Sequence, residues 1–205
     1  MPAELEPHVV DVGSGVTFFP FTVAQLSCRV TCTDVAAVCE KDLVRAAQVL
    51  RLRPMDFRHT DGIKLPFADE EADAIYCISV VEHIAHFEHT VTEMARILKP
   101  SGMLVLTFDF DLRGDLELSV KQYQHLMAVL DLYFIPAQPD RTIHPADMLR
   151  SNTGPYASLQ TRNELMFWLK QHVKALLGRK LAPPFPGFFL AVGGMALRRR
   201  KVRAT

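Results

Sequence analysis

Residues 8–15 read His8-Val9-Val10-Asp11-Val12-Gly13-Ser14-Gly15, an apolar strand that runs directly into a glycine turn. Four more segments follow it in order: a strand ending in an acid, an acid before a Leu-Pro-Phe turn, an apolar run ending in Glu-His, and a helix stopped by Pro-Ser-Gly. They are Arg29–Asp34, Asp61–Phe67, the run ending in Val80–His83, and Met94–Gly102. Each is weak alone, but together they predict a nucleoside-shaped ligand at the carboxyl ends of a parallel sheet.

Composition indicates a single globular domain covering residues 1–205. Hydrophobic residues make up 49% of the chain and charged residues 22%, which is typical of a soluble protein with a proper core. The 23 Lys and Arg residues equal the 23 Asp and Glu residues in number. A net charge of zero provides no general field for binding nucleic acid, so we expect no nucleic-acid partner.

The cysteines and the apolar runs favour a cytoplasmic protein. No Cys-x-x-Cys pair occurs, and we expect free thiols at Cys28, Cys32, Cys39 and Cys77. The first residues contain no apolar signal core. The longest apolar run, 185–197, is shorter than the roughly 20 residues needed to span a bilayer and is broken by prolines and glycines. We therefore expect no membrane span.

Strand and helix patterns alternate through the first half of the chain, which predicts a doubly wound α/β sheet with helices on both faces. The predicted strands are Val9–Val12, Arg29–Thr33, Ala74–Ser79 and Met103–Phe108, and the predicted helices are Thr22–Leu26, Glu40–Leu52 and Thr90–Leu98.

The second half is less regular. Its pattern predicts helices at Ser119–Phe134 and Thr161–Leu177, a long loop or lid over 135–160, and a strand at Phe188–Leu197. The basic end, Arg198–Arg203, has no interleaved aromatic residues, so a solvated strand end is favoured over a nucleic-acid patch.

The glycine turn argues against a dinucleotide fold. The Gly-x-Gly-x-x-Gly fingerprint requires its last glycine at position 18, where Phe18 stands. Asp11 would also repel a diphosphate and is better matched to a cationic or neutral ligand. A nicotinamide oxidoreductase is therefore disfavoured.

At these segments the chain resembles the class I S-adenosylmethionine-dependent methyltransferases, specifically the small-molecule subgroup called type 11, over residues 8–110. The resemblance implies a mostly parallel seven-stranded sheet whose last strand, 188–197, is antiparallel. Residues 111–205 would form the substrate side. The implied reaction is methyl transfer from S-adenosylmethionine, releasing S-adenosylhomocysteine, to a small molecule through an oxygen nucleophile. A sugar, a glycolipid precursor and a secondary metabolite all stay open as acceptors.

The resemblance also implies roles for individual residues. The methionine half of the cofactor would lie against Asp11, Gly13, Ser14 and Gly15. Asp34 would accept both ribose hydroxyls, since a carboxylate offers two acceptor oxygens to a diol. The alternatives are an ordinary strand-to-helix turn for the glycines and a helix N-cap for Asp34.

At the other end of the cofactor, the resemblance implies that Asp61 accepts from the adenine amino group. Val35 and Ile63 would pack on the ring, and Ser79 would line the sulfonium region. For Asp61 the alternative is a surface turn carboxylate.

Two departures from the family pattern affect this prediction. Thr17 stands where a third small residue is usual, and Phe18-Phe19-Pro20 follows it. The first strand is expected to begin at residue 8, without the helices that usually precede it. The pocket's cover is then absent, or it comes from the 135–160 loop or from a partner subunit; oligomeric state stays open, with a homodimer among the alternatives.

Three residues are candidate bases: His83, Asp109 and His144. A structural hydrogen bond, a loop-capping acid and a solvated loop histidine are the respective alternatives. The group His83, His86 and His89 looks like a metal cluster, but helical spacing turns His89 away from His83, and no metal is predicted.

The end of the Ala74–Ser79 strand lacks the Asn-Pro-Pro-Tyr motif of the amino-methylating nucleic-acid enzymes, which favours a small-molecule acceptor. A cofactor-binding pseudoenzyme, or a subunit that depends on a partner for turnover, is the alternative function.

Overall fold

The computed structural model describes residues 6–52, 55–111, 118–138, 166, 169, 172–173 and 190–201. Within these residues the strands are β1 (His8–Val12), β2 (Arg29–Asp34), β3 (Asp56–His59), β4 (Ala72–Ile78), β5 (Leu98–Asp111), β6 (Phe134–Pro136) and β7 (Leu190–Arg199). The helices are α1 (Phe19–Ala24), α2 (Ala37–Leu50), α3 (Phe87–Ile97) and α4 (Val120–Tyr133), with a 3-10 turn at Val81–His83.

All seven strands form one sheet in the order β3-β2-β1-β4-β5-β7-β6. The first five strands of that order are parallel to one another, and β7 is antiparallel to both β5 and β6. The predicted mostly parallel sheet with an antiparallel last strand is confirmed. The strand order reverses between β1 and β4, and open α/β sheets bind ligands outside the carboxyl ends of the strands at such a reversal.

The core lies on both faces of this sheet because successive strand residues point to opposite sides. Val10 belongs to the larger cluster, with Leu104 and Leu126, whereas its neighbour Val9 packs with Phe21 and Leu43 in the second cluster. In α3 the buried residues recur every three to four positions at Phe87, Val91 and Met94, so one face of the helix covers the sheet.

Several element bounds differ from the sequence prediction. β3 and β6 have only four and three residues, too few for a periodic signal, and neither was predicted. The predicted 135–160 loop is wrong at its start, because β6 extends through Pro136. Helix α1 begins at Phe19, earlier than predicted, since Pro20 suits the first helical turn.

Much of the second half lies outside the described residues. This applies to 139–165 and therefore to most of the predicted loop, to His144, and to most of the predicted 161–177 helix. Positions 166, 169, 172 and 173 are described and are helical.

The four cysteines are free, as predicted; Cys32, Cys39 and Cys77 are buried, and Cys28 is half-buried. Among the described residues, no helix has the length and apolar character needed to cross a membrane.

Candidate functional site

The glycine turn follows β1 and is hydrogen-bonded to the carboxyl end of β2. The backbone N–H groups of Gly13 and Ser14 donate to the Thr33 carbonyl at 3.0 and 2.9 Å. Gly13 and Gly15 have φ values of +74° and +51°, in the left-handed region that favours glycine. A Cβ at Gly15 would meet no atom of the described residues within 4 Å. The turn therefore keeps an open space beside its backbone, where a ligand can approach closely.

Asp34 lies at the end of β2 and is held by two backbone donors. The Gly15 N–H donates to Oδ2 at 2.9 Å and the Ala36 N–H donates to Oδ1 at 2.8 Å. Helix α2 has Ala36 as its N-cap residue, with no side-chain cap, so the N-cap alternative for Asp34 is not what the structure shows. Each carboxylate oxygen keeps a further lone pair for a hydroxyl donor.

Asp11 lies beneath the turn and is only 3% exposed. The pKa of Asp11 is raised to about 7, chiefly by burial; the Tyr76 hydroxyl acts in the opposite direction, and the nearby Asp34 carboxylate adds to the increase. Ser14 is also buried, and among the described residues its Oγ has no hydrogen-bond partner. The polar side chains under the turn are therefore enclosed, whereas Gly15 and Asp34 are half-buried.

The Asp61 loop (residues 61–67) forms the second wall of the site. Asp61 Oδ1 accepts from the Ile63 and Lys64 N–H groups at 2.9 and 2.8 Å, and these bonds lower the pKa of the exposed Asp61 carboxyl. The Thr60 N–H donates to the Asp34 carbonyl at 3.2 Å, which ties the loop to β2. Asp61 is thus an ionised acceptor at the same edge as Asp34.

Two exposed apolar side chains accompany these acids. Val35 is 66% and Ile63 is 63% exposed. A Cβ at Gly62 would lie 3.4 Å from Val35 Cγ1, so the Asp61 loop and the start of the β2–α2 connection face each other. An apolar pair beside a carboxylate suits a flat ring that carries an amino group.

Ser79 follows β4 and lies across the sheet reversal from the glycine turn. It has a φ of +53°, which is strained for a residue with a side chain. Its N–H is held by both the carbonyl and the Oγ1 of Thr107, each at 3.1 Å. The neighbouring Val80 packs on Gly13, where a Cβ would lie 2.6 Å from Cγ1 and Cγ2. The end of β4 is thereby fixed against the turn.

The structure describes two of the three candidate bases, His83 and Asp109. His83 is exposed and ends the 3-10 turn after β4, while Asp109 is half-buried near the end of β5. Glu82 precedes His83 and was not predicted as a site residue; its Oε1 accepts from the Asp109 N–H at 2.9 Å. Burial raises the pKa of Glu82. His144 lies outside the described residues.

Across the part of the chain that the structure describes, no three His, Cys, Asp or Glu side chains are grouped to hold a metal ion. The residues do fit an adenosyl cofactor. Gly15 leaves space for close approach, Asp34 and Asp61 supply acceptors, and Val35 and Ile63 supply exposed apolar surface.

Comparison with known proteins agrees with this geometry. Residues 10–106 match a family described as "Methyltransferase domain". The bifunctional biotin biosynthesis protein BioHC of Cellvibrio japonicus is 30% identical over 103 residues, which are 50% of this chain and 20% of that protein. A demethylmenaquinone methyltransferase of Tropheryma whipplei is 32% identical over 104 residues, covering 48% of this chain and 40% of the relative. The chain thus spans well under two thirds of these relatives.

Solved structures share the fold at low identity. The [4+2]-cyclase SpnF superposes with a TM-score of 0.66 at 18% identity, over 98% of this chain and 78% of SpnF. A protein described as a sarcosine dimethylglycine methyltransferase from Galdieria sulphuraria gives 0.64 at 17% identity, over 96% of this chain and 80% of that one. These likenesses establish the fold, and a fold alone does not determine an activity. Together with the matched family and the motif order, they support the assignment of residues 10–106 to the class I S-adenosylmethionine-dependent methyltransferases.

Proposed function

We propose that this chain transfers the methyl group of S-adenosylmethionine to a small-molecule acceptor through an oxygen nucleophile. One observation carries the proposal: the Gly15 N–H donates to the Asp34 carboxylate at 2.9 Å, and the space beside Gly15 is open for a ligand. The names of two relatives, one in biotin biosynthesis and one acting on demethylmenaquinone, support a small-molecule acceptor. The free cysteines support a cytoplasmic location.

In this proposal the chain's own residues mainly position the reactants. Asp34 accepts the ribose hydroxyls, Asp61 accepts from the adenine amino group, and Val35 and Ile63 cover the ring. Gly15 lets the backbone approach the methionine half, and Ser79 borders the sulfonium. The bound cofactor supplies the activated methyl group, so orientation is the larger part of what the protein contributes.

The acceptor side lies at the ends of β4 and β5. Three residues are candidates for removing the acceptor's proton: His83 and Asp109, and His144, which lies outside the described residues. The Glu82 carboxylate holds the Asp109 backbone at 2.9 Å, which favours a fixed position for Asp109. A base is not an absolute requirement, because the sulfonium methyl is already activated.

The test is a calorimetric titration with S-adenosylhomocysteine. We expect saturable binding by the wild type and a loss of at least about tenfold in Asp34→Ala, in line with losing hydrogen bonds to a charged group. Asp56→Ala is the matched control, since Asp56 lies at the amino end of β3, away from the site. Wild-type protein that does not bind the ligand, or equal affinities in all three proteins, would contradict the proposal.

A cofactor-binding pseudoenzyme, or a subunit that needs a partner for turnover, is the second candidate. It is favoured by Phe18, which is 72% exposed beside the glycine turn. Turnover with a panel of hydroxylated acceptors, read as release of S-adenosylhomocysteine, separates the two proposals. Light scattering of the same sample shows whether a homodimer is present. Binding without turnover by either species would favour the second candidate.

A further inference from the structure

Helix α3 presents a row of polar side chains to the Asp61 loop. Thr90, Glu93 and Arg96 are three residues apart, so they lie along one side of the helix. Thr90 is only 2% exposed. A polar row in this half-buried position requires partners, and the loop supplies them.

The three side chains bond to the loop backbone. Thr90 Oγ1 donates to the Gly62 carbonyl at 3.2 Å. Glu93 Oε2 accepts from the Leu65 N–H at 2.9 Å. Arg96 donates to the Leu65 carbonyl at 3.1 Å and to the Phe67 carbonyl at 2.9 Å. Loop backbone groups from Gly62 to Phe67 are therefore held by a helix about 30 residues further along the chain.

The row is itself rigid because its charges are paired. Arg96 Nε and Nη2 bind the two oxygens of Glu93 at 2.7 and 2.8 Å, and Arg96 Nη1 binds Asp69 at 2.7 Å. Two parallel bonds between a guanidinium and a carboxylate define both distance and orientation. The Glu93 and Arg96 side chains are 16% and 25% exposed, so solvent screens the pair only partly.

The bond from Thr90 to Gly62 falls between the two residues proposed to contact adenine. Gly62 separates Asp61 from Ile63, has a φ of +78°, and faces Val35. Because Thr90 holds the carbonyl of Gly62, it sets the position of the peptide that joins the acceptor carboxylate to the apolar side chain. A small rotation of this peptide would move both groups relative to Val35.

We propose that Thr90, Glu93 and Arg96 are positioning residues that set the base specificity of the cofactor site by fixing the Asp61 loop. The inference rests on the proposed function, because it assumes that Asp61 accepts from the adenine amino group. It predicts that loosening the loop reduces discrimination between adenine and a base without that amino group.

The experiment compares Thr90→Val with Thr92→Val. Both remove one hydroxyl from α3 with almost no change in shape. Thr92 Oγ1 donates to the Glu88 carbonyl within the helix and to the Tyr133 hydroxyl, and neither partner belongs to the Asp61 loop. Arg96→Gln and the conservative Arg96→Lys extend the series.

The first readout is the ratio of the affinities for S-adenosylhomocysteine and S-inosylhomocysteine, whose base has an oxygen in place of the amino group. We expect the wild type and Thr92→Val to prefer the adenosyl ligand. Thr90→Val should lose roughly three- to tenfold in affinity for the adenosyl ligand and little for the inosyl ligand, so that the ratio falls. Arg96→Gln should lower the ratio further, with partial recovery in Arg96→Lys. A merely structural role would lower both affinities equally.

The second readout is amide exchange in the ligand-free protein. We expect faster exchange at Ile63 and Lys64 in Thr90→Val than in Thr92→Val. An unchanged affinity ratio and unchanged exchange in Thr90→Val would overturn the inference while leaving the proposed function intact. A wild type that binds both ligands equally would overturn the inference together with the role proposed for Asp61, and would leave the proposed methyl transfer standing. A wild type that binds neither ligand would overturn the proposed function and this inference together.

Discussion

At the scale of single residues, Gly13 and Gly15 differ in the space around their missing side chains. In Gly13→Ala the new Cβ would lie 2.6 Å from two Val80 carbons, at a φ of +74°. We expect a loss of about 2–4 kcal/mol in the free energy of unfolding, from overpacking and left-handed strain together. In Gly15→Ala only the strain applies, at about 1–2 kcal/mol, because no atom from the described part of the chain lies within 4 Å of the new Cβ.

If a cofactor occupies the space beside Gly15, we expect Gly15→Ala to reduce ligand affinity more than Gly13→Ala does, the opposite of their order in stability. We expect Gly15→Ala to weaken S-adenosylhomocysteine binding by at least about tenfold, because a methyl group would occupy ligand space. Urea unfolding and calorimetric titration of both variants provide the comparison. Wild-type affinity in Gly15→Ala would show that the ligand does not approach this backbone.

Asp11 gives a second prediction at the residue scale, in the pH dependence of stability. Its pKa is raised from 3.8 to about 7 in the folded state, so the folded protein binds more protons than the unfolded chain between these values. The contribution of Asp11 is therefore greatest at acidic pH and is lost as pH rises towards 7. It amounts to about 1.4 kcal/mol for each pKa unit of the shift.

Asp11→Asn isolates this contribution from those of other titrating groups. We expect the free energy of unfolding of the variant, minus that of the wild type, to increase between pH 4 and pH 7 and then to level off. Urea unfolding at half-unit pH steps measures the difference. A difference that does not change with pH would mean that Asp11 titrates alike in the folded and unfolded states.

At the scale of elements, β5 and β7 approach each other closely at Gly193. Gly193 pairs with Phe108, and a Cβ at Gly193 would lie 2.5 and 2.6 Å from the Phe108 ring. The ring is buried in the core and has little room to shift. We expect Gly193→Ala to cost about 1–3 kcal/mol in unfolding free energy.

Gly194→Ala is the control for this prediction. Its nearest neighbour, Thr107 Cγ2, would be 3.6 Å from the new Cβ, an ordinary contact. Since glycine is a weak strand former, we expect no loss of stability and a gain of up to about 1 kcal/mol. Equal losses in both variants, measured by urea unfolding, would show that strand flexibility rather than the Phe108 contact decides the outcome.

Elements also show how far sequence reasoning reaches. The glycine turn and the acid ending β2 were predictable because residues close in sequence build them, and parallel strands bring their ends to one edge. The strands β3 and β6 were not, because they are too short to show a period. The contacts of Thr90 and Arg96 with the Asp61 loop join positions 28–31 residues apart. No local pattern signals such pairs, even though Arg96 stood in a segment that the motif order singled out.

At the scale of the whole molecule, the two edges of the sheet have different roles. The carboxyl edge carries the glycine turn, Asp34 and the Asp61 loop. The amino edge carries a network of polar contacts around His8. The backbone N–H of His8 donates to the Asp73 carboxylate at 2.9 Å, and its ring Nε2 forms a hydrogen bond with Thr31 Oγ1 at 2.9 Å. Lys99 in turn binds Asp73 at 2.6 Å. Changes at the amino edge should therefore alter stability and leave ligand affinity unchanged.

His8 tests this division through acid stability. Burial lowers the pKa of His8, the nearby Arg29 charge adds to the effect, and Glu71 acts in the opposite direction. Below about pH 6.5, the pKa of His8 in the unfolded chain, the unfolded chain binds a proton that the folded protein resists, so stability is lost as pH falls.

His8→Gln keeps a side-chain amide near Thr31 and cannot titrate. We expect its unfolding free energy, minus that of the wild type, to increase as pH falls below 6.5, while its affinity for S-adenosylhomocysteine at pH 7.5 stays within about twofold of wild type. A large loss of affinity in His8→Gln would show that the two edges are coupled through β1, and that the site depends on the amino end of the sheet.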